Sequence, residues 1–276
     1  MNIGAHVSIS EGIDKAPEQA AKWGCEAMQI FTRSPQGGPV PPISDEKAAA
    51  FKENCQKFGI KAVYIHAPYY INLASKNNRV YYGSISSIRK ELERATLLGA
   101  KYVMTHIGSA KEAGEGSIKL AVKGLEKIFD GYGGSASLLI ENSAGAGQII
   151  GSRFEDISEI FASFKDQKYL AGVCLDTQHS FASGFDWKNK FEESLGLIDK
   201  NFGVDKIKLM HANDSATDLN SHLDRHAHIG KGKIGLEGFE KLVRFAKEKN
   251  IDMICETNYP GVVEDIETLK EIRDEF

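Results

Sequence analysis

Six residues of the types that bind metal ions recur at nearly regular intervals along this 276-residue chain: His66, His106, Glu141, Asp176, His211 and Glu256. Successive members lie 40, 35, 35, 35 and 45 residues apart, and each ends a short apolar segment such as AVYIH or SLLIE. Imidazole and carboxylate ligands together suit Zn²⁺, with Mn²⁺ or Fe²⁺ as alternatives. Charged groups gathered in one place are costly to remove from water unless cations compensate them. The set therefore predicts a site that holds several metal ions.

A repeating strand and helix would position these residues. One β-strand with its returning helix occupies roughly 30 or more residues, which is close to the observed spacing. The order helix, Gly, apolar strand recurs, for example in KFGIKAVYIH at 57–66, and Gly commonly follows the last turn of a helix. Strands are predicted near 2–8, 27–32, 62–67, 102–107, 137–142, 172–177, 206–212 and 252–257. We therefore expect an α/β fold in which a single domain, residues 1–276, forms a (β/α)8 TIM barrel. The metal site should lie at the C-terminal face of its strands, where the active sites of such barrels are found.

Further candidate ligands lie in the loops that follow the strands. The longest irregular stretches are predicted at 33–43, 68–79, 142–152, 178–187 and 213–235. His179 follows Asp176 in a DxxH pattern, and Asp224 and His226 form a DxH pattern. Because the first six residues are enough for two ions, these additional groups predict a third. Three more histidines lie close to the candidate ligands in the sequence or at a strand end: His222, His228 and His6. We expect His6 to contact the ligands or the substrate.

The composition is that of a soluble globular protein, with 42% hydrophobic and 26% charged residues. No segment approaches the roughly 18 apolar residues of a membrane span, and the N-terminal MNIGAHVSIS has no signal-peptide pattern. The four cysteines form no CxxC pair, which favours reduced thiols in a cytoplasmic protein. A monomer is the default expectation. The net charge of −4 argues only weakly against nucleic acid as a partner, because bound cations would offset the carboxylates among the candidate ligands.

Metal ions held a few ångströms apart suit phosphodiester hydrolysis, because they activate water and stabilise charge on a phosphoryl group and its leaving oxygen. Several sequence motifs also indicate phosphodiester hydrolysis: GAHVS, HAPYYINLAS, THIGS, IENSAG, LDTQHSFASGFD, MHANDS, DRHAHIGKGKIG and CETNYP. In the order and spacing of these motifs, the chain resembles the endonuclease IV family of apurinic/apyrimidinic (AP) endonucleases over essentially its full length.

The resemblance implies a DNA-repair enzyme of base excision repair. It implies a (β/α)8 barrel that binds three Zn²⁺ ions, with Mn²⁺ possible in some sites. Such an enzyme cleaves double-stranded DNA 5′ to an abasic site and leaves a 3′-hydroxyl and a 5′-deoxyribose phosphate. The resemblance assigns nine ligands to three sets: His66, His106 and Glu141; Glu141, Asp176, His211 and Glu256; and His179, Asp224 and His226. Glu141 would bridge the first two ions and is the expected catalytic residue.

The loop after the second strand departs from the family pattern. The family usually carries Arg and Trp side chains there, which enter the minor groove and help to open the lesion. This chain has FTRSPQGGPVPPIS, which keeps Arg33 but has the sequence QGG at 36–38, where basic and aromatic residues are expected. In the next loop, Tyr69 matches a position of the family that contacts DNA. The expected DNA contacts are Tyr69, Arg33, Gln36 and Arg225.

Two other functions stay open at the level of sequence. Related barrels include sugar isomerases and epimerases that hold one divalent metal ion with a Glu, Asp, His, Glu set. Glu141, Asp176, His211 and Glu256 supply that set here. Such an enzyme would have no use for the other ligand-type residues. The altered loop instead favours a protein that recognises lesions without cutting them, although the complete ligand set argues against this.

We predict that Gln36→Arg tightens binding to abasic duplex DNA. Opening a base step costs a few kcal/mol, which wedge and Arg contacts normally offset, and Gln36 supplies neither a wedge nor a charge. The substitution should steepen the salt dependence of binding by about one phosphate contact. A salt titration of binding to abasic and intact duplexes measures both effects. Unchanged affinity and slope would mean that this loop does not face the DNA.

Overall fold

The computed structural model describes residues 1–164 and 168–276, and it contains a closed barrel of parallel strands, as the sequence predicts. The strands in chain order are β1 (Ile3–His6), β2 (Ala27–Ile30), β3 (Ala62–His66), β4 (Tyr102–Thr105), β5 (Ser137–Glu141), β6 (Leu170–Asp176), β7 (Ile207–His211), β8 (Asp214–Ser215), β9 (His226–Ala227) and β10 (Asp252–Cys255). Around the barrel the order is β1-β10-β7-β6-β5-β4-β3-β2. The short strands β8 and β9 pair antiparallel outside it. The predicted TIM-barrel fold class is therefore confirmed.

Helices alternate with the barrel strands. They are α1 (Ala16–Lys22), α2 (Asp45–Lys57), α3 (Asn78–Leu98), α4 (Ser117–Phe129), α5 (Phe154–Ser163), α6 (Thr177–Ala182), α7 (Phe191–Asn201), α8 (Gly235–Lys249) and α9 (Gly261–Asp274). Short 3₁₀ turns occur at Ile13–Lys15, Gly114–Gly116, Ala146–Gln148 and Val204–Lys206. Local sequence explains several ends: Ser44 caps α2, Asn77 caps α3, and left-handed Gly99 ends α3.

Two stretches that were expected to be irregular contain regular structure. Helix α6 occupies part of 178–187, because the side chain of Asp176 accepts a hydrogen bond of 2.7 Å from the backbone N–H of His179 and caps the helix. Within 213–235, β8 pairs with β9, and the Asp214 carboxylate accepts hydrogen bonds from the backbone N–H groups of Gly232 and Ile234. The first correction rests on a local helix cap, three residues long, and the second on a carboxylate that satisfies backbone donors 18 and 20 positions away.

The interior of the barrel is layered by side-chain type. A buried, largely apolar layer includes Ala27, Tyr64, Met104, Leu139, Cys174, Leu209 and Ile254. Because side chains alternate along a strand, residues two positions further on face the same interior. Those residues are Gln29, His66, His106, Glu141, Asp176, His211 and Glu256. All of them except Gln29 are candidate ligands, so the strand period alone places the ligands in one layer above an apolar one.

The first barrel strand begins at residue 3 and the last ends at residue 255. Because the closed barrel needs both, we propose that residues 1–276 form one domain. Cys25, Cys55, Cys174 and Cys255 are free and buried. Within residues 1–164 and 168–276, no helix is both long enough and apolar enough to cross a membrane.

We predict that Gly4→Ala destabilises the barrel strongly. Gly4 in β1 pairs with Ala27 in β2, and a Cβ at position 4 would lie 1.6 Å from the backbone oxygen of Ala27. Overpacking of a core costs about 1–3 kcal/mol and occasionally more, so the free energy of unfolding should fall by at least about 3 kcal/mol in chemical denaturation. The control is Gly83→Ala in α3, where a Cβ meets nothing within 4 Å. This substitution should stabilise the helix by up to about 1 kcal/mol. Similar stabilities for the two variants would contradict close strand contact at Gly4.

Candidate metal centre

The two carboxylate oxygens of Glu141 face different histidines. Glu141 ends β5 and is almost fully buried. Its Oε2 lies 2.9 Å from His66 Nε2 and 3.4 Å from His106 Nε2. Its Oε1 lies 3.0 Å from His211 Nδ1. Glu141 is therefore placed to share its oxygens between two groups of ligands, and His66, His106 and Glu141 form the first group.

The second group of candidate ligands comes from the ends of β5, β6 and β7 and from the residue after β10. It consists of Glu141, Asp176, His211 and Glu256, each of which offers one ligand atom within 4.8 Å of the others. His211 Nδ1 lies 3.3 Å from Glu256 Oε2 and 3.9 Å from Asp176 Oδ2. This group is the one that the sequence analysis expected.

The third group of ligands is larger than expected. Asp176, His179 and His226 offer ligand atoms within 4.8 Å of one another. Asp224 closes the same group, because its two oxygens lie 3.3 Å from His179 Nε2 and 3.3 Å from His226 Nε2. The sequence analysis placed Asp176 in the second group alone, whereas the geometry lets it serve both. The three groups are thus connected in a chain through Glu141 and Asp176.

The charges in the centre compensate one another. Burial by itself would raise the pKa of Glu141, but His106, His211 and His66 hold that pKa well below its usual range. Burial by itself would lower the pKa of His179, but Asp176 and Asp224 raise that pKa to about 10. A bound cation would take the place of the imidazole protons, because metal ligands must be deprotonated.

The donor set fits divalent cations. Within the described part of the chain, the buried atom His226 Nε2 has no hydrogen-bond partner, although it lies 3.3 Å from Asp224 Oδ1 and 3.9 Å from Asp176 Oδ2. A nitrogen that faces two carboxylates without hydrogen-bond geometry is well placed to bind a cation together with them. Mixed imidazole and carboxylate sites suit Zn²⁺ and Mn²⁺.

Gln29 orients two ligands and was missed by the sequence analysis. His211 Nε2 donates to Gln29 Oε1 at 2.7 Å, which leaves His211 Nδ1 facing the carboxylates. Gln29 Nε2 donates to Glu256 Oε1 at 2.7 Å and also lies 2.9 Å from His6 Nδ1. The available signal was a polar residue near the end of the buried strand AMQI. His6 contacts this layer, as expected.

Two asparagines that adjoin ligands in the sequence also fix the third group. Asn213 Nδ2 donates to Asp176 Oδ2 at 2.8 Å and to Glu256 Oε2 at 3.1 Å. His179 Nδ1 donates to the backbone oxygen of Asn142 at 3.1 Å, so His179 Nε2 is directed at Asp224. Partners of this kind set the orientation and basicity of metal-bound imidazoles. Their proximity to ligands in IENS and HAND was the only sequence signal.

Seven of the nine candidate ligands, all except Asp176 and His211, line a cleft of about 570 Å³. Its walls include Phe31, Tyr69, Trp23 and Tyr259. Tyr69 is 66% exposed, and its ring lies 5.2 Å from that of Phe31 in an edge-on contact. An extended ligand can therefore reach the centre from solvent between aromatic walls.

Comparison with known proteins places the chain in a family. Residues 17–274 match the family model described as xylose isomerase-like TIM barrel. The chain is 36% identical to the "Probable endonuclease 4" of Halothermothrix orenii and 38% identical to that of Nitrosopumilus maritimus, over 99% of each chain in both cases. The crystal structure of endonuclease IV from Thermus thermophilus superimposes with a TM-score of 0.89 at 31% identity, covering 100% of both chains. The chain belongs to the endonuclease IV family. A D-tagatose 3-epimerase-like protein, with a TM-score of 0.74 at 22% identity, shares the fold alone.

The DNA contacts expected from the endonuclease IV family are only partly displayed. Tyr69, Gln36 and Arg225 are exposed. Arg33 is not, because its side chain is 8% exposed, with Nε 3.9 Å from Glu91 Oε1 and the guanidinium 5.4 Å from the centroid of the Tyr70 ring. The Arg33 side chain thus lies against Glu91 and Tyr70, and its contact with DNA stays a prediction.

We predict that Glu141→Gln lowers the metal content of the protein by at least one ion per chain. The amide keeps the shape of the side chain but removes the charge that two ligand groups share. Elemental analysis after purification in excess zinc measures the change. Glu126→Gln, an exposed substitution in α4, is the matched control and should retain the full content. Equal metal content in the two variants would exclude Glu141 as a shared ligand.

Proposed function

We propose that the protein is an AP endonuclease that hydrolyses the phosphodiester bond 5′ to abasic sites in double-stranded DNA. The observation that carries the proposal is the chain of three ligand groups connected through Glu141 and Asp176. Membership of the endonuclease IV family supports it, because relatives that match along the whole chain are named endonuclease 4. We further propose that the enzyme acts as a cytoplasmic monomer in base excision repair and leaves a 3′-hydroxyl and a 5′-deoxyribose phosphate.

We infer three zinc sites, with Mn²⁺ as a possible occupant of some. The proposed ligands are His66, His106 and Glu141 for the first, Glu141, Asp176, His211 and Glu256 for the second, and His179, Asp224 and His226 for the third. Asp176 is a further candidate for the third. When bound, such ions activate water and neutralise phosphate charge.

The side chains of the protein contribute positioning and exclusion of water. Gln29 holds His211 and Glu256 in register through hydrogen bonds of 2.7 Å to each. Phe31 and Tyr69 cover one side of the cleft with aromatic surface, which lowers the local dielectric and strengthens electrostatic stabilisation of a phosphate. We assign Glu141 the central role, since its charge holds the first two groups together.

The two competing functions have less support. A single-metal sugar isomerase would use only the second group. The buried His66 and His179 and the half-buried His106 and His226 would then lie near carboxylates without a role. A lesion-binding protein that does not cut would need no connected groups of ligands.

A nicking assay with metal analysis tests the proposal. The protein, purified in excess zinc, should contain about three zinc ions per chain and should nick a duplex at a single abasic site, leaving an extendable 3′-hydroxyl. Removal of metal with a chelator should abolish nicking, and zinc should restore it, because loss of several kcal/mol of charge stabilisation lowers the rate tenfold for each 1.36 kcal/mol. An intact duplex of the same sequence is the control substrate.

Each alternative has its own outcome. A single tightly bound ion, together with an uncut abasic duplex, would contradict the proposal and support the isomerase. Three ions with tight binding of abasic duplex and no cleavage would support the lesion-binding protein.

A further inference from the structure

Two stacked aromatic side chains lie on the rim of the cleft. Trp23 follows α1 and Tyr259 follows β10, and their ring centroids are 5.5 Å apart with an angle of 17° between the ring planes. Both line the cleft whose floor contains Glu141. Tyr259 is 66% exposed, so an aromatic surface in the same cleft as the proposed metal centre faces solvent. We call Trp23 and Tyr259 the aromatic platform.

The backbone beneath the platform is held in place. The backbone N–H of Trp23 donates to the carbonyl oxygens of Gln19 and Ala20 at 3.2 and 3.1 Å. On the other side, the hydroxyl of Thr257 donates to Asp265, which also accepts a hydrogen bond of 2.8 Å from the backbone N–H of Ile229. A surface that is already ordered loses little conformational entropy when a ligand stacks on it.

The platform offers what the loop after β2 lacks. That loop has the sequence QGG at 36–38 and turns Arg33 inward against Glu91, so it presents neither an aromatic wedge nor a cation. Tyr69 lines the same cleft and is also strongly exposed. Exposed aromatic surface is thus available in the cleft without the loop.

The surroundings of Trp23 suit a nucleotide better than a purely apolar ligand. Trp23 also lines a small cavity of about 160 Å³, together with Ser8, Ser10, Glu11 and Lys15. Hydroxyl groups and an ammonium group are donors for the sugar and phosphate of a nucleotide. A base on the aromatic platform would place its backbone near these donors.

We propose that the aromatic platform stacks an unpaired nucleobase next to the lesion, and that it thereby replaces the wedge contact missing from the loop at 33–43. The proposal rests on the proposed function, since it takes damaged DNA as the ligand of the cleft. Base–aromatic stacking is tolerant of sequence because every base has a π-face. The ligand class is therefore any nucleobase displaced from the duplex, not one particular base.

Tryptophan fluorescence reports the contact directly. The chain has two tryptophans, and Trp187 is fully buried, so Trp23 is the one that a bound base can reach. The zinc-loaded protein is titrated with a duplex that carries an abasic analogue and a non-hydrolysable linkage on its 5′ side. We expect the emission to be quenched, and we expect Trp23→Phe to remove the quenched component.

Affinity measurements isolate the stacking interaction. Tyr259→Ala should weaken binding of this duplex about tenfold, within the range for loss of one base stack, whereas Tyr259→Phe should bind as the wild type does. Tyr82→Ala is the matched control, because Tyr82 is 53% exposed but lies outside the cleft. When the bases adjoining and opposite the lesion are themselves replaced by abasic analogues, Tyr259→Ala should have no further effect.

The outcomes separate this proposal from the proposed function. If the wild type nicks abasic duplex, while Tyr259→Ala binds normally and Trp23 emission does not respond to DNA, the aromatic platform is wrong and the proposed function stands. If the wild type does not nick abasic duplex, the proposed function fails. An undamaged single-stranded oligonucleotide then decides the platform: quenching that depends on Trp23 supports it, and unchanged emission overturns it.

Discussion

The burial of the Glu141 carboxylate is the constraint around which the site is arranged. A buried anion is costly unless opposite charges surround it, and here imidazoles from β3, β7 and the end of β4 lie within 3.4 Å of its two oxygens. Those imidazoles need acceptors of their own, which Asp176 and Glu256 supply to His211. The mouth of the barrel is therefore one electrostatic unit, in which removal of any carboxylate leaves several partners uncompensated.

Much of this arrangement could be predicted from the sequence, for a definite physical reason. Each of the six regularly spaced candidate ligands ends or directly follows a barrel strand, and parallel strands separated by helices must end at the same face of a barrel. The strands, the fold class and the convergence of the ligands follow from that regularity.

The features that the sequence did not reveal depend on contacts between distant segments. The Asp214 carboxylate holds the loop at 213–235 by accepting hydrogen bonds from the backbone N–H groups of Gly232 and Ile234, 18 and 20 positions away. The inward turn of Arg33 depends on Glu91, a buried residue 58 positions away on α3 whose carboxylate also accepts a hydrogen bond of 2.5 Å from the hydroxyl of Thr32. Arg94 fastens the same loop by donating to the backbone oxygens of Thr32 and Pro41. A pattern that reads neighbours along the chain cannot detect such pairings, so the inward direction of the Arg33 side chain could not be predicted from the sequence.

Only every second residue of a barrel strand faces the interior, so the position of each candidate ligand depends on the register of its strand. A shift of one residue within a strand would turn its inward side chains outward. A single insertion in β5 before Glu141 would therefore turn the Glu141 side chain towards the helices. Such an error could not be repaired by a substitution nearby, because every later residue of the strand would share it. Insertions and deletions are therefore tolerated only in segments that have no strand-pairing register, such as 33–43. Under our proposal, these segments are the ones that face the DNA.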